Sequence, residues 1–169
     1  HPNVVLFLGI CMDHPEGRLL MVLERVEGML LRSFVTRMPA PQRKCRKLCG
    51  VLIGVCRALR FMHALKPPVI HGDLKCSNIM VESPRGQAKP KLLDFGLARM
   101  ATEGARPMGG TYRWMAPEVL ATGEATLAAD SFSFGRLAYF MGTGNVPMNG
   151  VNDHEITRIM ELGIAYYLK

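Results

Sequence analysis

One short run constrains this chain more than any other: His71-Gly72-Asp73-Leu74-Lys75-Cys76-Ser77-Asn78. It gathers an acid, an ammonium and an amide, with Asp73 two residues before Lys75 and five before Asn78. Val69 and Ile70 lead into it, and Ile79, Met80 and Val81 follow. A polar loop clamped between two short apolar strands offers reactive groups to solvent while its ends stay fixed. Further on, in order, come Leu92-Leu93-Asp94-Phe95-Gly96, Gly110-Thr111 and Met115-Ala116-Pro117-Glu118.

The rest of the chain reads as a scaffold for that loop. Val4 to Leu8 is expected as a mostly buried strand closed by Gly9. A hairpin turn over Asp13-His14-Pro15-Glu16-Gly17 and a second strand over Leu19 to Leu23 follow. Glu24 to Gly28 is a short polar connector, and Met29 to Thr36 a short helix stopped before Pro39 and Pro41. Gln42 to Ala64 is the best helix: Leu48, Leu52, Val55, Leu59 and Met62 recur at spacings of three or four and form a core-facing stripe. Lys91 to Leu93 gives a further strand. Asp94 to Glu118 shows little periodicity, and so long an irregular stretch in a compact domain is usually functional or mobile. Leu127 to Met141 is helical in character, with Asp130 near its start, and Asp153 to Met160 is a last helix with Asp153 as its cap.

Composition excludes several classes. With 169 residues, 49% hydrophobic and 21% charged, the chain fits one soluble globular domain or a large piece of one. No apolar run approaches the roughly 20 residues a membrane helix needs. The start, His1-Pro2-Asn3, has none of the marks of a signal peptide. Five cysteines, Cys11, Cys45, Cys49, Cys56 and Cys76, are an odd number without metal-ligand spacing and read as reduced thiols. The net charge of +7 is diffuse. Its densest cluster, Arg43, Lys44, Arg46 and Lys47, lies far from the lone Trp114 and reads as a solvated helix end, not a nucleic-acid stripe.

With these residues in view, the chain resembles the C-terminal lobe of a eukaryotic protein kinase. His71-x-Asp73-Leu74-Lys75-x-x-Asn78 is similar to the catalytic loop, Asp94-Phe95-Gly96 to the metal-binding turn, and Ala116-Pro117-Glu118 to the end of the activation segment. The resemblance implies that Asp73 receives or orients the substrate hydroxyl proton and that Lys75 neutralises the transferring γ-phosphate of ATP. It implies that Asn78 and Asp94 hold Mg2+. Leu23 is then the gatekeeper, backbone groups of Glu24 and Val26 bind adenine, and Met80 packs under the ring. Phe7, His71 and Phe95 belong to a hydrophobic stack between lobes, and Asp130 anchors the catalytic loop. Lys75 together with Gly110-Thr111 implies a Ser/Thr enzyme. Gly110 to Leu120 is especially similar to the tyrosine-kinase-like group, the relatives of Raf and mixed-lineage kinases; Ser131 to Gly135 and Thr143-Gly144-x-x-Pro147 point the same way.

The expected architecture is therefore α+β and protein-kinase-like, a mainly helical C-lobe with a remnant of the N-lobe β-sheet. Residues 1–23 are read as the end of that sheet, 24–28 as the hinge, and 29–169 as the C-lobe, truncated at its C-terminal end. The expected function is ATP- and Mg2+-dependent phosphorylation of Ser/Thr on protein substrates in the cytoplasm, with no nucleic acid and no membrane insertion. A pseudokinase or scaffold is the alternative. Three departures from the pattern bear on this. Gly72 replaces the usual Arg, so phosphorylation at Thr102 has no partner in the loop and activity is not expected to depend on it. Met29 and Leu30 occupy the region of the polar ribose contact. The Gly-rich loop, the strand Lys and the later Arg-bearing helices are not found, so the fragment is expected to be inactive alone, Glu118 to be unpaired, and 162–169 to fit the family poorly.

Overall fold

A helix buries one stripe of its surface when apolar side chains recur every three or four residues, and the central helix of this molecule does so over five turns. The computed structural model describes residues 1–13, 17–38, 46–83, 86–101 and 110–161. Helix α2, Arg46–His63, buries Leu48, Val51, Val55, Ala58, Leu59 and Met62, with Leu52 packed at the edge of the same core. Helix α4, Leu127–Thr143, lies against α2 and contributes Leu137, Phe140 and Met141. Its start is capped by Thr126, whose hydroxyl accepts from the Ala129 N–H at 3.0 Å, and it ends at Gly144 with φ 77°. Trp114 closes the floor, its ring edge-on to Phe140 at 6.2 Å.

Short strands surround this core. β1, Phe7–Cys11, pairs antiparallel with β2, Leu20–Leu23. β3, Met29–Leu30, β5, Ile79–Glu82, and β6, Lys89–Leu92, form one antiparallel sheet in the order β3-β5-β6. β4, Val69–Ile70, pairs with β7, Arg99–Met100. Three further helices complete the described fold: α1, Leu31–Thr36, α3, Pro117–Thr122, and α5, Asp153–Glu161. Among the described residues no helix is long and apolar enough to cross a membrane. The mixed, mainly helical architecture expected from the sequence is the one observed.

Several local expectations need correction. The first strand begins at Phe7, and Gly9 sits inside it, where the register slips between Phe7↔Leu23 and Gly9↔Val22. Such an irregularity tolerates a residue without a side chain. That strand is not buried: Leu6, Phe7, Leu8 and Ile10 are all exposed, because the two-stranded hairpin stands off the α2–α4 core. Met29 and Leu30 are strand, not helix, because they pair with Val81 and Met80. Gly28 makes that approach feasible, since a Cβ there would lie 2.4 Å from the Val81 carbonyl oxygen. The cap of α5 is Asn152: its Oδ1 accepts from Glu155 N–H at 2.9 Å, and Glu155 Oε2 accepts from Asn152 N–H at 3.3 Å. This reciprocal pair is a capping box one residue before the expected Asp153. The start expected for the long helix, Cys45, Thr102, part of the first hairpin turn and residues 162–169 lie outside the described residues.

Candidate active site

The loop from His71 to Asn78 is held at both ends by strand pairing. On the entry side Ile70 pairs with Arg99; on the exit side Ile79 pairs with Leu92, and Leu93 N–H donates to the Asn78 carbonyl at 2.8 Å. Between these clamps the backbone must turn sharply, and Gly72 supplies the turn with φ +77°. A Cβ at this position would meet the Leu97 carbonyl oxygen at 2.8 Å, so glycine answers both the conformation and the close approach. The turn is pinned from below by Asp130 on α4, which is only 2% exposed. Its Oδ2 accepts from His71 N–H at 2.8 Å and its Oδ1 from Gly72 N–H at 3.0 Å, while His63 Nε2 lies 2.8 Å from Oδ2. Asp130 therefore anchors the loop, as expected.

The His71 ring is fully buried and stacks at a tilt on Phe95, centroids 5.3 Å apart. Burial holds its imidazole below the ordinary range, and the carboxylates of Asp130 and Asp73 pull the other way. Nδ1 accepts from Asp73 N–H at 3.3 Å, so the neutral ring also orients the acid that follows it. Phe7, expected in the same stack, is instead 52% exposed on β1.

Asp73, Lys75 and Asn78 converge as the spacing suggested. Lys75 Nζ is 2.5 Å from Asp73 Oδ2, and Asn78 Nδ2 donates to Asp73 O at 2.9 Å and to Oδ2 at 3.0 Å. The sequence reading missed a fourth member, Thr111. Its hydroxyl accepts from Lys75 Nζ at 2.8 Å and donates to Asp73 Oδ1 at 3.2 Å, which closes the network. In sequence Thr111 marks only substrate class; nothing local ties it to a lysine 36 residues earlier.

The Asn78 amide N–H groups are spent on Asp73, so its Oδ1, which accepts a long bond from the Ser77 hydroxyl at 3.5 Å, is the side chain's donor atom for a hard cation. Asp94 follows directly on Leu93, whose N–H reaches back to Asn78, and stands exposed with φ +42°. Its Oδ1 accepts from Gly96 N–H at 3.1 Å. An amide oxygen and one carboxylate fit Mg2+, which keeps several waters and takes few protein ligands. No cluster of three His, Cys, Asp or Glu occurs among the described residues.

The remaining expected positions are more dispersed. Met80 lies on β5, half-buried, opposite Leu30 and Lys91. Leu23 ends β2 exposed, and Val26 is half-buried in the connector. Glu24 links that connector to the sheet. Its N–H donates to Leu6 O at 2.9 Å, and its Oε1 accepts from Leu6 N–H at 2.8 Å and from the Lys91 ammonium. The Lys91 bond, then the Leu6 N–H, hold the Glu24 carboxyl below its usual range. Lys91 is buried beneath this contact, a role its place in a strand does not announce. Glu118 makes no ion pair among the described residues.

Residues 1–167 match the family model described as "Protein kinase domain". Among curated relatives, a probable serine/threonine-protein kinase of Dictyostelium discoideum is 33% identical over 156 residues, 90% of this chain and 15% of that protein. Probable serine/threonine-protein kinase PBL8 of Arabidopsis thaliana is 34% identical, covering 85% of this chain and 35% of its own length. Human mitogen-activated protein kinase kinase kinase 11 is 34% identical, covering 90% of this chain and 18% of its own length.

Proposed function

The chain belongs to the protein kinase family, and from that premise we propose that the protein containing it transfers the γ-phosphate of ATP to Ser or Thr hydroxyls of protein substrates. Within the family it sits with the tyrosine-kinase-like Ser/Thr group, on the strength of Gly110 to Leu120. Residues 1–23 serve as the last part of a sheet over the nucleotide, 24–28 as the hinge and 29–169 as the helical lobe carrying the chemistry. The observation that carries the reading is the single cluster in which Asp73 is bonded by Lys75, Thr111 and Asn78.

Phosphoryl transfer leaves a protein mainly positioning and charge stabilisation to supply. Asp73 receives or orients the proton of the acceptor hydroxyl, and its own orientation is set by three neighbours and by His71. Lys75, poised between Asp73 and Thr111, moves its charge onto the transferring phosphoryl oxygens. Asn78 Oδ1 and Asp94 would hold Mg2+, which when bound would neutralise the charge of the phosphates. Leu23, the backbone of Glu24 and Val26, and Met80 receive the adenine. Gly72 stands where an Arg would meet a phosphorylated activation segment, so activity is independent of a phosphate on Thr102. The setting is cytoplasmic.

The test is Asp73→Asn in the whole protein, read as transfer of labelled γ-phosphate to a Ser peptide. Loss of about 10²- to 10⁴-fold is expected for removal of a general base. A variant that keeps the wild-type rate would remove Asp73 from the mechanism. Gly72 also favours a second, binding-only role as a pseudokinase. Saturable ATP binding with no transfer by the wild type would establish that role instead.

A further inference from the structure

Beside the Asp73–Lys75–Thr111 cluster the surface opens into a cavity of about 320 Å³. Its wall includes Arg32, Lys75 and Arg113 with the neutral hydrogen-bonding groups of Ser77, Thr111 and Asn149, and among the described residues no carboxylate lines it. The three cations come from separate elements: Arg32 from α1, Lys75 from the loop, and Arg113 from the turn Tyr112–Trp114. Packing of α1 against the Cys76–Asn78 turn brings the first two together. Burial pushes the Cys76 thiol between them up, and the charges of Arg32 and Lys75 pull against it.

Among the described residues, the positive charge of this wall is only partly answered. Lys75 is paired with Asp73. Arg113 Nη2 donates to the Val151 carbonyl at 3.4 Å and lies 3.8 Å from Asp153, a carboxylate that is itself 64% exposed. Arg32 is exposed and makes no ion pair among the described residues. Two guanidinium groups flanking a lysine suit a planar or tetrahedral oxyanion, because each presents paired N–H donors.

We propose that this cavity binds an anionic side chain of the substrate, within a few residues of the acceptor hydroxyl, so that the protein selects acidic or previously phosphorylated sequences. This rests on the phosphoryl-transfer reading, since it is delivery of a hydroxyl to Asp73 that brings the neighbouring residues of a substrate to this wall. Carboxylate and phosphate share the required chemistry.

The test uses one Ser peptide in three versions, flanked on both sides by Asp and Glu, by phosphoserine, or by Ala and Gln. Each is assayed for phosphorylation by the whole protein and, without ATP, for binding by fluorescence anisotropy. An anionic peptide is expected to exceed the neutral one by about tenfold in kcat/KM and in affinity, a gain that shrinks with salt as exposed charges are screened. Arg32→Glu, at an exposed position, is expected to cancel that ratio, and Arg32→Gln to reduce it, with circular dichroism checking the fold. Which anion wins identifies the source. Equal values for all three peptides, or a preference untouched by Arg32→Glu, overturns the proposal. If no peptide is phosphorylated, it is the transfer reading that fails, and anisotropy alone then decides the cavity by the same two criteria.

Discussion

Asp130 is the residue on which the geometry of the loop most depends, and its removal has a calculable cost. The carboxylate is buried and accepts two backbone N–H groups, from His71 at 2.8 Å and Gly72 at 3.0 Å, with His63 Nε2 at 2.8 Å. Asp130→Ala leaves the buried His71 N–H and the part-buried Gly72 N–H without this acceptor. Each such buried donor costs about 1–3 kcal/mol. Against this, the variant no longer desolvates a carboxylate, which returns part of the loss. The balance is a destabilisation of about 2–4 kcal/mol. With a urea m-value of about 2 kcal/mol/M, the middle of the range for a small domain, the unfolding midpoint falls by roughly 1–2 M. Trp114, buried at 4% exposure in the adjoining core, reports the transition by fluorescence. Asp130→Asn keeps one oxygen but sets an amide N–H against a backbone N–H, so it falls between wild type and Asp130→Ala. A double cycle with His63→Ala should show coupling of about 0.5–3 kcal/mol, as expected for residues in one network. An Asp130→Ala protein within about 0.5 kcal/mol of wild type would refute the account, because surface substitutions alone produce changes of that size.

Gly72→Ala should lower stability by about 1–3 kcal/mol, from the left-handed backbone and the contact with Leu97 O, and thermal melting reads it; an unchanged Tm means the loop relaxes freely. Thr111→Val removes both hydroxyl contacts to Asp73 and Lys75 and should slow phosphoryl transfer about tenfold or more, equivalent to about 1.4 kcal/mol, while Thr111→Ser retains most of the rate. Asn152→Ala should cost about 1 kcal/mol and speed amide exchange at Glu155, the N–H it caps. For Glu24 the folded carboxyl titrates below its ordinary value of 4.5, so its stabilising link to Lys91 is complete above that value and is lost as pH falls through the lower folded one. The stability gap between wild type and Glu24→Gln should therefore close as pH falls; a gap constant across that range would show that the pair contributes nothing through charge.

Much of the scaffold was legible because its causes are local. The stripe of α2 follows from side-chain period: of the residues the spacing singles out, Leu48, Val55, Leu59 and Met62 are buried and Leu52 is half-buried at the edge, while Val51, Gly54 and Ala58 are buried beside them. The Asn152 capping box is equally local, an Asn three residues before a Glu, with Asp153 beside it as a competing cap signal. The errors at Val4 to Leu8 and Met29 have a different origin. An apolar run of five residues is read as buried by default, whereas burial depends on what packs over it; here the hairpin faces solvent.

By itself, then, the order of residues determined the chemical kit of the loop, Asp73, Lys75 and Asn78, and the left-handed turn that Gly72 permits, since these depend on spacing along a few bonds. Which groups complete that kit was decided only by tertiary packing. Thr111 lies 38 residues from Asp73, Asp130 lies 59 from His71, and Lys91 lies 67 from Glu24. Arg32 and Arg113 share a wall with Lys75 only because α1 and the Tyr112–Trp114 turn close around the loop. A hydrogen bond is satisfied within a few ångströms, and sequence periodicity carries no information about which distant donor folding will bring into that range.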